Sequence, residues 1–392
     1  MRLLFDLYAT QPIGRHKFNG GSEYVRRIFI ETVKRSDDST EIFCTYNSKH
    51  ELDSDLKALC AENEIVLLDI AEVGIDQHVR QKKIDRLYLG LVQRYDRLQL
   101  DNQVEVVLVC HDIRNLEVFP NRKALWYLSD VSSFRNRVQL YVKWVFLELF
   151  LKLRVQRLRK TYENMLELIR RETTTVVTDS THTKFMMLSE FPDIEERQIK
   201  LHWAPEIKYS VEKVSCPELE GRKFWLLLSA DRWEKNALPV IEGLININRS
   251  RSERVNLVLV GNLRNTHLHA RIKEVEWITA YDYLERGKLE WLYANCEAFL
   301  YPSFAEGFGY PPIEAMKYDK PVLASATSSI TEVCGDAPLY MCPYNDMEIE
   351  ARLRSLLHSN LDELATRSRI RYRQIVERQE KDLVSLVDII LK

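Results

Sequence analysis

The segment that most constrains this chain runs from Ala298 to Met316. An apolar strand, Ala298-Phe299-Leu300-Tyr301, leads into a loop carrying Gly307 and Gly309, and Pro311-Pro312 then opens a helix. Strand, glycine loop and helix start are the parts from which α/β proteins build anion sites, because backbone N–H groups converge there. Glycine lets the backbone approach a ligand and take positive φ. Proline suits the first helical turn, where its missing N–H costs nothing. Two carboxylates, Glu306 and Glu314, frame the loop with seven residues between them. The reading places Glu314 in the first turn of a helix over Pro312–Tyr318.

The same alternation recurs along the chain. Strands are expected at Arg2–Tyr8, Glu41–Tyr46, Glu64–Leu68, Val104–Cys110 and Thr174–Thr178, and Lys200-Leu201-His202-Trp203 closes the first domain. Ser22 is placed to cap a helix over Glu23–Arg35, after a loop from Thr10 to Gly21. A polar stretch, Pro205–Arg222, reads as a linker. Beyond it, strands are expected at Phe224–Ser229, Asn256–Val260, Glu276–Ala280, Ala298–Tyr301 and Pro321–Ala324. Helices are expected at Ala237–Ile247, Leu289–Asn295 and Leu361–Leu391. Near-continuous apolar runs such as Val104–Cys110 suit strands buried on both faces of a parallel sheet. Two doubly wound, Rossmann-like α/β domains follow.

With 392 residues, 45% hydrophobic and 29% charged, the chain is long enough for two globular domains. A net charge of −2 gives no global case for nucleic-acid binding. Seven cysteines without metal-like spacing read as reduced thiols in a cytoplasmic protein. Met1-Arg2-Leu3-Leu4-Phe5-Asp6 turns acidic too early for a signal peptide, and no apolar run reaches transmembrane length. Asp53-Ser54-Asp55 has the form D-x-D, but in Glu51–Lys57 it reads as a helix cap, not a metal site. No metal or other cofactor is expected.

Glu306-Gly307-Phe308-Gly309-Tyr310-Pro311-Pro312-Ile313-Glu314-Ala315-Met316 resembles the nucleotide-sugar signature of retaining GT-B glycosyltransferases, specifically glycosyltransferase family 4 (glycosyl transferases group 1). The likeness extends to Pro321–Ser325, to Ile330–Ala337 with Thr331 where the family usually has proline, and, less specifically, to Gly20-Gly21-Ser22-Glu23-Tyr24 and His111-Asp112-Ile113. It implies the GT-B fold, with two domains facing a central cleft. Residues 1–205 would form the acceptor-binding domain, 206–222 the linker and 223–375 the nucleotide-sugar domain. A C-terminal helix over 376–392 would return to the first domain.

The implied chemistry is transfer of a sugar from a nucleoside-diphosphate sugar, the donor substrate, to a hydroxyl acceptor with retention. The acceptor would attack from the face the diphosphate leaves, with a phosphate oxygen taking its proton. By resemblance, Lys235 and Arg232 neutralise the diphosphate, although the family's arginine usually lies nearer Ala230. Glu314 holds the ribose, Glu306 lies near the donor sugar, and Phe308, Gly309 and Tyr310 supply backbone contacts. Gly20 and Gly21 would reach the distal phosphate. His111 would meet the donor sugar, and Ala280 and Tyr281 the base. Each has a plainer reading: solvated loop charges, ordinary strand-to-helix turns, a histidine bonded to backbone, a tyrosine in the core.

Two other functions compete: a nucleotide-sugar epimerase of the same architecture, and a non-catalytic nucleotide-sugar-binding subunit. Residues 131–171 carry ten Lys/Arg against three Glu around an apolar, aromatic middle. An interfacial helix on anionic lipid at the inner face of the cell membrane explains this run. So does a buried or dimer-forming helix pair, which would make the protein a homo-oligomer. A glycan or lipid-linked glycan acceptor in cell-surface polysaccharide synthesis accords with the first reading.

Overall fold

The computed structural model describes residues 1–12, 20–95, 98–119, 124, 127, 138, 142, 145, 162–163, 165–209, 211–264 and 266–392. Most of the basic run 131–171 lies outside the described residues. The chain forms two compact units. The first comprises Met1–Ile113, Leu158–Lys208 and Val376–Lys392, and the second Arg114–Arg157 and Tyr209–Ile375.

In the first unit, seven strands form one sheet: β1 (Arg2–Phe5), β2 (Glu41–Tyr46), β3 (Val66–Asp69), β4 (Arg86–Leu89), β5 (Glu105–Cys110), β6 (Thr174–Thr178) and β7 (Ile199–Leu201). Their order is β3-β2-β1-β4-β5-β6-β7, with every pairing parallel. Leu3, Leu4 and Phe5 of β1 and Val106–Cys110 of β5 are buried, as two-sided coverage requires. Helix α1 spans Gly20–Arg35 and buries Tyr24, Val25, Ile28 and Phe29 along one face. It starts earlier than expected, so Ser22 is not its cap. The Ser22 hydroxyl donates instead to the Ala9 carbonyl at 2.9 Å. Helix α2 (Ser54–Glu62) is capped by Asp53, whose Oδ1 accepts from the N–H groups of Asp55 (2.9 Å) and Leu56 (3.3 Å). Asp53-Ser54-Asp55 is therefore a cap.

The second sheet contains β8 (Trp225–Leu228), β9 (Leu257–Val260), β10 (Ile278–Tyr281), β11 (Ala298–Tyr301), β12 (Val322–Ser325) and β13 (Leu339–Met341). Its order is β10-β9-β8-β11-β12-β13, again parallel throughout. The helices that matter here are α3 (Arg114–Glu117), α4 (Ala237–Asn248), α5 (Arg286–Asn295), α6 (Tyr310–Met316), α7 (Asp346–His358) and α8 (Leu361–Leu391). Leu238, Ile241 and Leu244 of α4 and Ile349, Leu353 and Leu356 of α7 share one apolar core with the sheet.

Two boundaries differ from expectation. The described residues of 114–157 belong to the second unit, outside the 1–205 domain. One physical reason is Tyr127, which packs against the second unit's core. Its hydroxyl accepts the Leu238 N–H at 3.0 Å, one of the N–H groups that the start of α4 leaves unpaired. The 206–222 stretch is not a free linker either. From Tyr209 onward it belongs to the second unit, where Val214 N–H donates to the Gly287 carbonyl at 3.1 Å.

The end of α8 belongs to the first unit. Arg86 donates to the carbonyls of Ile389 (3.0 Å) and Ile390 (3.1 Å), and the Trp203 N–H donates to Asp382 at 2.8 Å. Leu383, Leu386, Val387 and Ile390 are all fully or nearly fully buried. Leu386→Ala should therefore destabilise the protein by about 2–5 kcal/mol, read as a lower urea midpoint. A midpoint within error of the parent's would show that this helix end is not packed as described.

Candidate functional site

The chemistry-bearing residues of the second unit gather after the carboxyl ends of β8 and β11, adjacent strands in the sheet. That edge is where open parallel sheets bind ligands. Lys235 follows β8 and is 6% exposed; Glu306 follows β11 and is 8% exposed. The Lys235 ammonium bonds Glu306 Oε1 and donates to Tyr301 Oη at 3.1 Å. The Ser303 hydroxyl donates to the same Glu306 oxygen. The loop is held from behind: Glu306 N–H donates to Ser328 Oγ at 2.9 Å, and Ser329 Oγ donates to the Glu306 carbonyl at 2.9 Å.

Burial alone would raise the Glu306 carboxyl, but Lys235 and Arg114, with hydrogen bonds from Lys235 and Ser303, outweigh it and hold the group down to about 2. Burial pushes the Lys235 ammonium down; Glu306 opposes that shift, while Arg232 and Arg114 add to it. Arg232 is committed to Glu234, donating through Nε at 2.9 Å and Nη2 at 2.5 Å.

Glu314 anchors a second cluster. Arg286 donates to its Oε1 at 2.7 Å and the Tyr293 hydroxyl to its Oε2 at 2.8 Å. Arg286 also bonds Glu290 and lies over the Tyr209 ring, 3.6 Å from the centroid. Each Glu314 oxygen keeps a further lone pair for a ligand hydroxyl. Rings connect the clusters: Tyr293 to Phe299 at 5.5 Å, and Phe299 to Tyr301 at 5.9 Å.

The helix bearing Glu314 begins at Tyr310, not Pro312, so Glu314 lies beyond the first turn. The cause is Gly309, which takes the left-handed conformation (φ 94°, ψ 53°) at the cap and lets the helix begin earlier. Pro311 and Pro312 carry no N–H, which leaves the Tyr310 N–H as the first helical donor beside the loop. Phe308 and Gly309 are buried and Tyr310 is half-buried. Ala280 and Tyr281 close β10 at the sheet's edge. Ala280 is exposed, and the Tyr281 hydroxyl is bonded to Glu218.

In the first unit, Gly20 and Gly21 are the first two residues of α1. His111 belongs to a polar chain across four adjacent strand ends. Asp6 follows β1, Gly90 follows β4, His111 follows β5 and Asp179 follows β6. The Gly90 N–H donates to Asp6 Oδ2 at 3.2 Å, and His111 Nε2–H donates to the Gly90 carbonyl at 3.1 Å. His111 Nδ1 lies 2.9 Å from Asp179 Oδ2. Both ring nitrogens are thus used within the first unit. Burial pulls the His111 titration down, but Asp179 and Asp112 raise it above its ordinary value.

Arg114, Arg286, Tyr293 and Asp179 escaped the sequence reading. Arg286 and Glu290 had a detectable signal, their i,i+4 spacing. Asp179 had another, its place at a strand end. Among the described residues, no group of three or more His, Cys, Asp or Glu is placed to hold a metal ion, and no helix is long and apolar enough to cross a membrane.

Two parallel-sheet, Rossmann-like units, with ligand-type side chains at the strand ends, define the GT-B class of fold. Solved structures agree on the fold. Anabaena Alr3699/HepE, crystallised with UDP and glucose, superposes with a TM-score of 0.65 at 14% identity, covering 100% of this chain and 99% of that one. WaaG, a glycosyltransferase involved in lipopolysaccharide biosynthesis, gives 0.65 at 15% identity over 99% of both chains. Residues 212–375 match the family described as Glycosyl transferases group 1. The match lies within the second unit, which holds Lys235, Glu306 and Glu314, and makes that part of the chain similar to the GT-B, family 4-like glycosyltransferases.

Curated relatives match over shorter stretches. O-antigen chain mannosyltransferase B of Escherichia coli is 43% identical over 23% of this chain and 24% of its own length. O-antigen chain mannosyltransferase RfbU of Salmonella typhimurium is 28% identical over 35% of this chain and 39% of its own. The chain thus spans well under two thirds of the length of these relatives.

Two outcomes follow. Glu306 is more acidic folded than unfolded, so its stabilising contribution is present above its ordinary value of 4.5 and is lost as pH falls toward about 2. Glu306→Gln should flatten the acid limb of stability against pH. It should also cost about 3–5 kcal/mol at neutral pH, because Lys235 stays buried without its carboxylate. An unchanged acid limb would contradict the pairing. In Asp179→Asn, the burial that opposes charge on His111 loses its main counterweight. The His111 titration followed by NMR should drop from above 6.5 in the parent to a lower value. A titration that stays where it was would separate His111 from Asp179.

Proposed function

We propose that the protein is a retaining glycosyltransferase that moves a sugar from a nucleoside-diphosphate sugar to a hydroxyl acceptor. The observation that carries this reading is the buried Lys235–Glu306 pair next to the Gly309 loop, with Glu314 following on α6. Departure of the diphosphate leaves negative charge on phosphate and positive character on the sugar. Lys235 stabilises the first by exchanging Glu306 for a phosphate oxygen, and Glu306 then faces the sugar. Arg232 lends its charge while it stays bonded to Glu234. Phe308, Gly309 and Tyr310 offer backbone contacts to sugar and phosphate.

Glu314, oriented by Arg286 and Tyr293, accepts hydrogen bonds from the ribose hydroxyls. Tyr281 and Ala280 border the base. By the family resemblance, Gly20 and Gly21 are assigned to the distal phosphate and His111, which fixes the Gly90 peptide, to the donor sugar. The acceptor attacks from the face the diphosphate leaves, and a phosphate oxygen takes its proton, so no metal is required.

The names of the curated relatives support a mannosyl donor and a cell-surface glycan or lipid-linked glycan acceptor. The net positive charge of residues 131–171 supports contact with an anionic membrane surface at the cytoplasmic face.

A thermal-shift titration with UDP, GDP and their sugar conjugates, in the presence of a chelator, tests the donor site. A ligand bound at one hundred times its Kd stabilises the native state by about 2.7 kcal/mol. Lys235→Ala should abolish the shift and Glu314→Ala should reduce it. No shift with any nucleotide, or equal shifts in both variants and the parent, would refute the assignment.

A further inference from the structure

Arg286, which bonds Glu314, carries more donors than the protein uses. Its Nε–H donates to Glu290 Oε1 at 2.7 Å. Its Nη2 group donates to that same oxygen and, at 2.7 Å, to Glu314 Oε1. The Nη1 group has no hydrogen-bond partner among the described residues. A guanidinium is planar, and its two terminal amino groups each point one N–H outward, side by side. On Nη2 that N–H meets Glu314 Oε1, so its Nη1 counterpart runs parallel to it beside the same carboxylate. A ligand atom seated against Glu314 Oε1 therefore meets Nη1 as well.

The side chain is held in this position. The Tyr209 ring lies against the guanidinium, 3.6 Å from its centroid. The chain beyond Tyr209 presses on the start of α5: Val214 N–H donates to the Gly287 carbonyl at 3.1 Å, and a Cβ on Gly287 would lie 2.6 Å from the Glu212 carbonyl oxygen. Glu290 is 5% exposed and closed off by Arg286, Lys317 and Tyr318. Arg286 and Glu314 each keep 18% exposure, so the cluster opens at these two side chains. Arg286 and Lys317 balance Glu290 and Glu314, which suits the opening to a neutral group that both donates and accepts, and not to a phosphate.

We propose that Arg286 is a specificity residue of the donor site: its Nη1 group donates to the ribose hydroxyl whose own proton goes to Glu314, and the two side chains together select ribonucleotides over deoxy analogues. The assignment rests on the donor-site reading above. One hydroxyl satisfies both partners at once, giving its proton to the carboxylate and accepting one from the guanidinium. A deoxy position does neither. It leaves a carboxylate oxygen and an N–H covered by ligand and unpaired, and sites that lose a polar partner in this way discriminate strongly.

Calorimetric titration with UDP, GDP and their 2′-deoxy and 3′-deoxy forms tests this on the parent, Glu314→Ala and the double variant Glu314→Ala/Arg286→Met. In the parent, removing one of the two hydroxyls from the preferred nucleotide should weaken binding about tenfold or more. Glu314→Ala should keep about threefold selectivity through Arg286, and the double variant should keep none. No selectivity in the parent would overturn the assignment. Selectivity already gone in Glu314→Ala would overturn it too, because Arg286 would then act on the ribose only by orienting Glu314. So would equal selectivity in Glu314→Ala and the double variant. If the double variant does not fold, Glu314→Ala/Arg286→Lys decides, since lysine keeps the charge beside Glu290 but has no second amino group for the hydroxyl. Selectivity below that of Glu314→Ala supports the assignment, and equal selectivity overturns it. Wherever the assignment fails, nucleotide binding that Lys235→Ala abolishes leaves the donor site standing. A parent that binds neither UDP nor GDP would sink the donor-site reading, and this assignment with it.

Discussion

A lysine and a glutamate buried together at the ends of β8 and β11 are the interaction on which the rest of the second unit depends. Taking each charge out of water costs several kcal/mol, and their attraction returns that only with good geometry and further hydrogen bonds. Tyr301 and Ser303 supply those bonds from β11 and the residue pair beyond it. Ser328 and Ser329 fix the backbone at Glu306 from a different segment. A buried ion pair is weak evidence for stability; in the proposed function its charges are held for a ligand, whose phosphate would replace Glu306 on Lys235.

The first unit solves a related problem with backbone groups. Asp6, the Gly90 peptide, His111 and Asp179 form a chain across β1, β4, β5 and β6, so four strand ends share one hydrogen-bonded floor. Gly90 has no side chain because α1 comes too close: a Cβ there would lie 2.2 Å from Val25. The Gly90 peptide therefore meets Asp6 on one side and His111 on the other, while α1 packs tightly above it. His111 is a member of this floor first, and any role toward a sugar is exercised from within it.

How much of this the sequence reveals depends on how local the cause is. The strand–loop–helix segment around Glu306 was legible because glycine, proline and apolar runs act within a few residues. The start of α6 shifted by two residues because Gly309 adopts a left-handed cap that composition alone does not locate. β4 was missed since Arg86-Leu87-Tyr88-Leu89 is short and opens on a charge. That charge is tolerated through Glu105 and two carbonyls some three hundred residues away in sequence. The placement of Tyr127 was invisible for the same reason: its partner, the Leu238 N–H, lies on a distant segment. Residues 206–222 looked like a linker because they are polar, but Tyr209 under Arg286 and Val214 against Gly287 tie them to α5.

The central claim is that Lys235 gives up Glu306 for a phosphate when donor binds. The most direct measurement is a crystal structure of the protein with an unhydrolysed nucleoside-diphosphate sugar. The account predicts the diphosphate against the Lys235 ammonium, the ribose hydroxyls on Glu314, and a Glu306 carboxylate released from Lys235 and turned to the sugar. Donor density elsewhere, with the Lys235–Glu306 pair still closed, would contradict it.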